Sequence, residues 1–207
     1  MPIEDDSLRK FWEIEDYNMK KPVLSLEEKS VVQHFESSYS RDESGRFIIP
    51  LPRKPGAVAL GESRTHAVER FLRLERSLKK KGAFQEFAEV LLEYFQMQHA
   101  EPVPTEELNG QRAEVYYLPM HAIRKETSST SKLRIVFDAS AKTSTGTSLN
   151  DHLLIGPTVH APLIDVLLRF RQHRVALTTD VSRMYRAVLL PEDQRDLHRF
   201  VWREDSC

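Results

Sequence analysis

The 207-residue chain has a single cysteine, Cys207. One thiol supports neither a disulfide framework nor a cysteine-built zinc cluster. Also missing is any apolar run long enough to span a membrane, and residues 1–20 are too polar for a secretory signal. The expectation is therefore an intracellular protein with no membrane partner. The eight histidines lack ligand spacing; His34, His66, His99, His152 and His173 read as surface or core residues. There are no internal repeats and no low-complexity tracts. Net charge is nearly absent too, at −1, but it is unevenly spread. Residues 1–120 carry 17 basic and 21 acidic side chains, residues 121–174 carry 8 and 4, and residues 175–207 carry 5 and 6. The middle stretch would attract a polyanion if any part does, although a modest excess of cations is also what a solvated face looks like.

What is present, at 40% hydrophobic and 29% charged residues, is material for one domain or one and a half. Residues 1–24, acidic and aromatic, read as a linker or short helix closed by Pro22. Ser25 with Glu28 is a capping-box signature, and Val31, Val32 and Phe35 continue an apolar face, giving a helix over 26–37. The turn at 42–45 precedes an edge strand at 46–52 that contains Pro50 and Pro52. Ala67, Phe71, Leu74 and Leu78 recur at helical spacing up to Gly82. A second helix over 83–98 buries Phe84, Phe87, Leu91, Leu92 and Phe95, and Pro102 and Pro104 stop it. After Gly110 the texture becomes extended. Two strand-length apolar runs, 115–123 and 132–138, flank a polar tip and predict a β-hairpin. A short amphipathic helix over 162–172 precedes strands at 175–179, 187–190 and 198–202.

Two places carry chemistry. The predicted strand 175–179 ends in Asp180, a carboxylate positioned as a ligand for a hard divalent cation, with Tyr185 five residues on. No second carboxylate cluster follows to complete a two-metal site. In the hairpin, Lys125 and Arg134 would close over one spot, a point charge and a planar fork suited to a triphosphate. Asp138 is expected on the same strand face, able to fix the Arg134 guanidinium. Both cations could equally serve to solubilise an exposed hairpin.

The order of the pieces is basic hairpin, polar Asn loop, helix, then strand, aspartate, turn and aromatic. It resembles the fingers-to-palm passage of reverse transcriptases, and the wording is most similar to the Pao/BEL class of long-terminal-repeat retrotransposon polyproteins. The blocks that carry this are Leu8-Arg-Lys-Phe-Trp-Glu-Ile14, Arg70-Phe-Leu-Arg-Leu-Glu-Arg76, Tyr116-Tyr-Leu-Pro-Met-His-Ala-Ile123, Lys132-Leu-Arg-Ile-Val-Phe-Asp-Ala-Ser-Ala-Lys142, Ser148-Leu-Asn-Asp151 and Asp180-Val-Ser-Arg-Met-Tyr185. They spread over nearly the whole chain.

The resemblance implies an α+β, partial reverse-transcriptase-like fold: linker 1–24, helical fingers 25–111, fingers hairpin, loop and helix 112–174, and a truncated palm start 175–207. It implies that Asp180 is a catalytic aspartate holding two Mg²⁺ ions, with the Val181 carbonyl as a further ligand. Tyr185 would be the gate under the sugar, and Lys125 and Arg134 would grip the incoming nucleotide, with Asp138 beside them. Arg169, Arg171 and Arg174 could touch template phosphates or simply be exposed. The implied partners are an RNA/DNA template-primer, a deoxynucleotide and the remainder of a polyprotein; the implied reaction is two-metal nucleotidyl transfer. A Tyr/Phe-x-Asp-Asp hairpin after residue 180, a thumb, and an aspartic-protease Asp-Thr/Ser-Gly motif are all missing. The expectation is thus a polymerase fragment inactive alone, with a non-catalytic nucleic-acid-binding module or a helical interaction protein as the alternatives.

Overall fold

A computed structural model describes residues 23–108, 114–124 and 133–204. Helix α1 (Leu26–Ser38) opens as its sequence dictates. Ser25 Oγ accepts the Glu28 amide at 3.2 Å while Glu28 Oε2 accepts the Ser25 amide at 2.7 Å, so two otherwise orphaned donors are satisfied reciprocally. Strands β1 (Ser40–Arg41) and β2 (Phe47–Ile48) form an antiparallel pair around the 42–45 turn, where Gly45 takes a φ of 85°. Helix α2 (Arg64–Lys80) ends at Gly82, whose φ of 64° lets the chain reverse into α3 (Phe84–Gln96). A single turn, α4 (Thr105–Leu108), follows.

Strands β3 (Met120–Arg124) and β4 (Leu133–Phe137) make the expected antiparallel hairpin, in register from Met120 opposite Phe137 to Arg124 opposite Leu133. Strand alternation turns Met120, Leu133 and Ile135 inward, where they join Phe71 and Leu78 of α2 and Phe87 and Leu91 of α3 in one core. A second cluster, Tyr116, Leu118, Leu149 and Leu197, lies beneath the hairpin's approach. The architecture is α+β, helices against small antiparallel sheets.

The end of the chain departs from expectation. Residues 115–119 form no strand beyond a bridge. Instead Tyr117 and Arg199 form an isolated parallel bridge, with the Leu118 amide donating to the Arg199 carbonyl at 2.7 Å. Of the strand expected over 198–202, this bridge is what forms. Of that expected over 187–190, only Leu189 pairs, with Ile48 of β2. Residues 175–179 form no strand at all, and every residue from Val175 to Asp180 is exposed. An apolar run becomes a strand only when a second strand meets its backbone donors and acceptors, and no described strand does so here. Helix α5 (Leu163–Arg171) forms where the periodicity predicts it but buries no residue. No helix among the described residues is long and apolar enough to cross a membrane.

Candidate functional site

Arg134 lies on β4 between buried Leu133 and Ile135, so the pleat turns it to the solvent face of the hairpin, opposite Ile123. Lys125, expected beside it, lies outside the described residues. Asp138 does not fix Arg134. Four residues of strand separate their Cα atoms by about 13 Å, more than the two side chains can bridge. The Asp138 carboxylate instead accepts Arg70 Nη1 of α2 at 3.0 Å and the Ser140 amide at 3.0 Å, with His121 Nε2 3.9 Å away and also in contact with Arg70. Two blocks of the family-like wording, 68 positions apart, are thus joined by an ion pair that ties α2 to the hairpin.

The Ser148 to Asp151 block is likewise structural. Asp151 Oδ2 accepts the Ser148 amide and hydroxyl, each at 2.7 Å, and Lys142 Nζ at 2.5 Å. The Lys142 hydrogen bond, then those of Ser148, hold the Asp151 carboxyl well below the usual carboxylate range. Asn150 Nδ2 donates to Ser140 Oγ at 2.8 Å. Tyr116, fully buried, donates its hydroxyl to the Ala141 carbonyl at 2.5 Å, and burial pushes that phenol up. His152 is a buried histidine between the carbonyls of Ser148 and Val58, the core one of the two settings expected for it.

Asp180 sits in the irregular stretch after α5, exposed, with Val181 beside it. Tyr185 is 86% exposed on a 3-10 turn, Met184–Ala187. Arg169 and Arg171 occupy the last turn of α5, where their charge complements the helix dipole, and they and Arg174 are exposed. Among the described residues no hydrogen bond or ion pair joins Arg134, Asp180 and Tyr185 to one another. Nor are any three His, Cys, Asp or Glu side chains of the described residues grouped to hold a metal. Magnesium keeps waters and substrate phosphates beside one or two carboxylates, so Asp180 and the Val181 carbonyl could serve one ion but not the pair of a two-ion site. The described residues do not by themselves make a two-ion site.

Sequence reasoning missed a second basic region. Arg186 places its guanidinium 4.5 Å from the ring centroid of Tyr94 in α3. Arg46 Nη2 donates to the Arg186 carbonyl at 3.3 Å, and Arg183 contacts Glu93. His99 meets the Tyr94 ring edge-on at 6.2 Å. Burial first, then the charges of Arg186, Arg46 and Arg183, hold its imidazole below the ordinary range, while Glu93 opposes them. Nothing in the spacing of residues 46, 99, 183 and 186 signals this assembly.

The Arg70–Asp138 pair makes a prediction. Arg70→Ala leaves a half-buried carboxylate without its main partner and should cost about 1–2 kcal/mol. A double-mutant cycle from denaturant melts should give about 1 kcal/mol of coupling between Arg70 and Asp138, and none between Arg134 and Asp138. No family model matches the chain, and neither a curated protein nor a solved structure matches it.

Proposed function

We propose that this stretch of chain is the fingers and opening palm of a Pao/BEL-class reverse transcriptase, a nucleic-acid-binding piece of an RNA-directed DNA polymerase that is catalytically silent by itself. The observation that carries the reading is Arg134, set outward on an antiparallel hairpin that is packed on α2 and α3. That is where the resemblance asks for a triphosphate-gripping cation. Support also comes from the order of the six sequence blocks.

The test is binding of the 207-residue chain to a fluorescent RNA–DNA hybrid over a salt series. The reading expects affinity to fall steeply with salt. Changing Lys125 and Arg134 to Ala should weaken binding about tenfold and flatten the slope by about one unit per lost phosphate contact. Primer extension with Mg²⁺ or Mn²⁺ should give no product, and template-dependent synthesis would refute the silence. Absence of hybrid binding at low salt would remove the polymerase reading. A second reading, an interaction module of retroelement ancestry, is favoured by α5, whose Leu163 (74%) and Ile164 (61%) are exposed as a partner-covered face would be in isolation.

A further inference from the structure

We infer that Arg46, Arg183 and Arg186, gathered around Tyr94 and His99 at the C-terminal end of α3, form a binding site for phosphate oxyanions. The inference goes beyond the polymerase reading and does not use Lys125, Arg134 or Asp180. It begins with how the site is built. The His99 amide donates back to the Tyr94 carbonyl at 2.8 Å, closing the helix with Gln98 in the left-handed region (φ 55°) and folding His99 over Tyr94. From the other side comes the Met184–Ala187 turn, entered through Arg183, also left-handed at φ 54°. Gln98 and Arg183 are the two non-glycine residues with positive φ in the described chain, and both border this cluster. A long side chain is a poor occupant of that conformation, and such residues persist where the surroundings over-determine them.

The turn is clamped in place. The Leu189 amide donates to the Phe47 carbonyl at 2.8 Å and the Ile49 amide to the Leu189 carbonyl at 2.9 Å, which carries Arg186 alongside β2 and Arg46. Three guanidiniums therefore converge from two remote parts of the chain. The carboxylates facing them are Glu93, which engages Arg183, and Asp42, which is engaged by the Ser44 hydroxyl at 2.7 Å and the Arg46 amide at 2.9 Å. One positive charge is left in excess. Helix α3 supplies no basic residue to its own last turn, so the cations brought by the turn and β2 also offset its partial negative end. His99 Nδ1 is enclosed and has no hydrogen-bond partner. The charges of Arg186, Arg46 and Arg183 all reach the His99 imidazole, and a bound oxyanion would offset them, letting the ring take a proton and donate to it.

The chemistry fits a phosphate group, whether free as a polyphosphate or linked in a polynucleotide backbone. Arginine forks match paired phosphate oxygens, and the guanidinium of Arg186 packs against the Tyr94 ring.

The test uses the 207-residue chain with sodium pyrophosphate, read by NMR of the His99 ring, and with a short fluorescein-labelled oligothymidylate, read by anisotropy. Pyrophosphate should move the His99 titration midpoint upward. Arg46→Gln and Arg186→Gln should each weaken binding about tenfold. Glu93→Gln should tighten it a few-fold by removing a competing carboxylate. Should Arg186→Gln fail to fold, exposed Arg183→Gln and Glu93→Gln still decide the matter. Binding of pyrophosphate alone would identify free polyphosphate as the ligand, and binding of both would identify the strand backbone as well; either supports the site. An unmoved His99 and equal affinities across the variants would overturn it. Loss of this site with RNA–DNA hybrid binding retained leaves the polymerase reading intact, and the reverse result leaves this site intact.

Discussion

Replacing Trp202 by alanine should lower the unfolding free energy by about 2–4 kcal/mol, toward the low side of the range for a large core aromatic because the side chain is only partly buried. In a chain of this size the melting temperature should fall by roughly 10 °C. Trp202 meets three rings: Phe84 stacked at 6.0 Å, Phe71 edge-on at 5.9 Å and Phe87 tilted at 5.7 Å. Phe71 comes from α2, and Phe84 and Phe87 from α3, so one side chain near the end of the described chain clamps both helices where the hairpin packs. Aromatic pairs in such offset or edge arrangements add about 0.5–1.5 kcal/mol beyond burial. The indole Nε1 is enclosed without a partner, so Trp202→Phe keeps most of the packing and removes an unsatisfied donor. That variant should cost about 1 kcal/mol or less. Denaturant melts compare the two directly, and a similar loss in both would mean the ring contacts hold little. Because the clamped helices carry the hairpin, Trp202→Ala should also weaken any binding through Arg134 in proportion to the unfolded fraction.

How much of this was legible in sequence follows from the range of each interaction. The capping box of Ser25 and Glu28 and the periodic faces of Phe71, Leu78, Phe87 and Leu91 are local, and they appear where the spacing puts them. The hairpin is nearly as local, its inward residues fixed by alternation. Legibility fails where a partner is remote. Residues 175–179 have the composition of a strand, but composition cannot supply the neighbouring edge that a strand requires. Asp138 carries a family-like pattern, yet its partner, Arg70, is set by how α2 crosses the hairpin. The Arg46, Arg183 and Arg186 cluster depends on the bridge between Ile48 and Leu189. Glu75 was the least legible residue of α2: it lies between Phe71 and Leu78 on the buried stripe, where periodicity asks for an apolar side chain.

Glu75 is kept in that position by Arg203, and removing Arg203 should both destabilise the protein and invert its response to acid. The Glu75 side chain is 4% exposed; Arg203 Nε reaches Oε1 at 3.2 Å and Nη2 reaches Oε2 at 2.6 Å, while Lys79 Nζ stands 3.7 Å off. The Arg203 hydrogen bonds, opposed by burial and helped by the charges of Arg203 and Lys79, hold the Glu75 carboxyl below its ordinary value. With the folded pKa below the unfolded one, Glu75 contributes stability above about pH 4.3, and that contribution is lost as pH falls through the folded pKa. In Arg203→Ala, burial becomes the leading influence and raises the folded pKa, so ionised Glu75 then destabilises the protein at neutral pH. The expected loss at pH 7 is about 2–3 kcal/mol, toward the lower end for a broken buried pair because Arg203 is half-exposed and Lys79 remains. The deficit relative to wild type should shrink as pH is lowered toward 4. Glu75→Gln in the Arg203→Ala background should recover most of the loss at pH 7, since no buried charge is left unpaired. Urea melts between pH 4 and 8 measure all three chains, and a deficit that stays constant across that span would mean Arg203 acts by packing its stem rather than by holding the Glu75 charge.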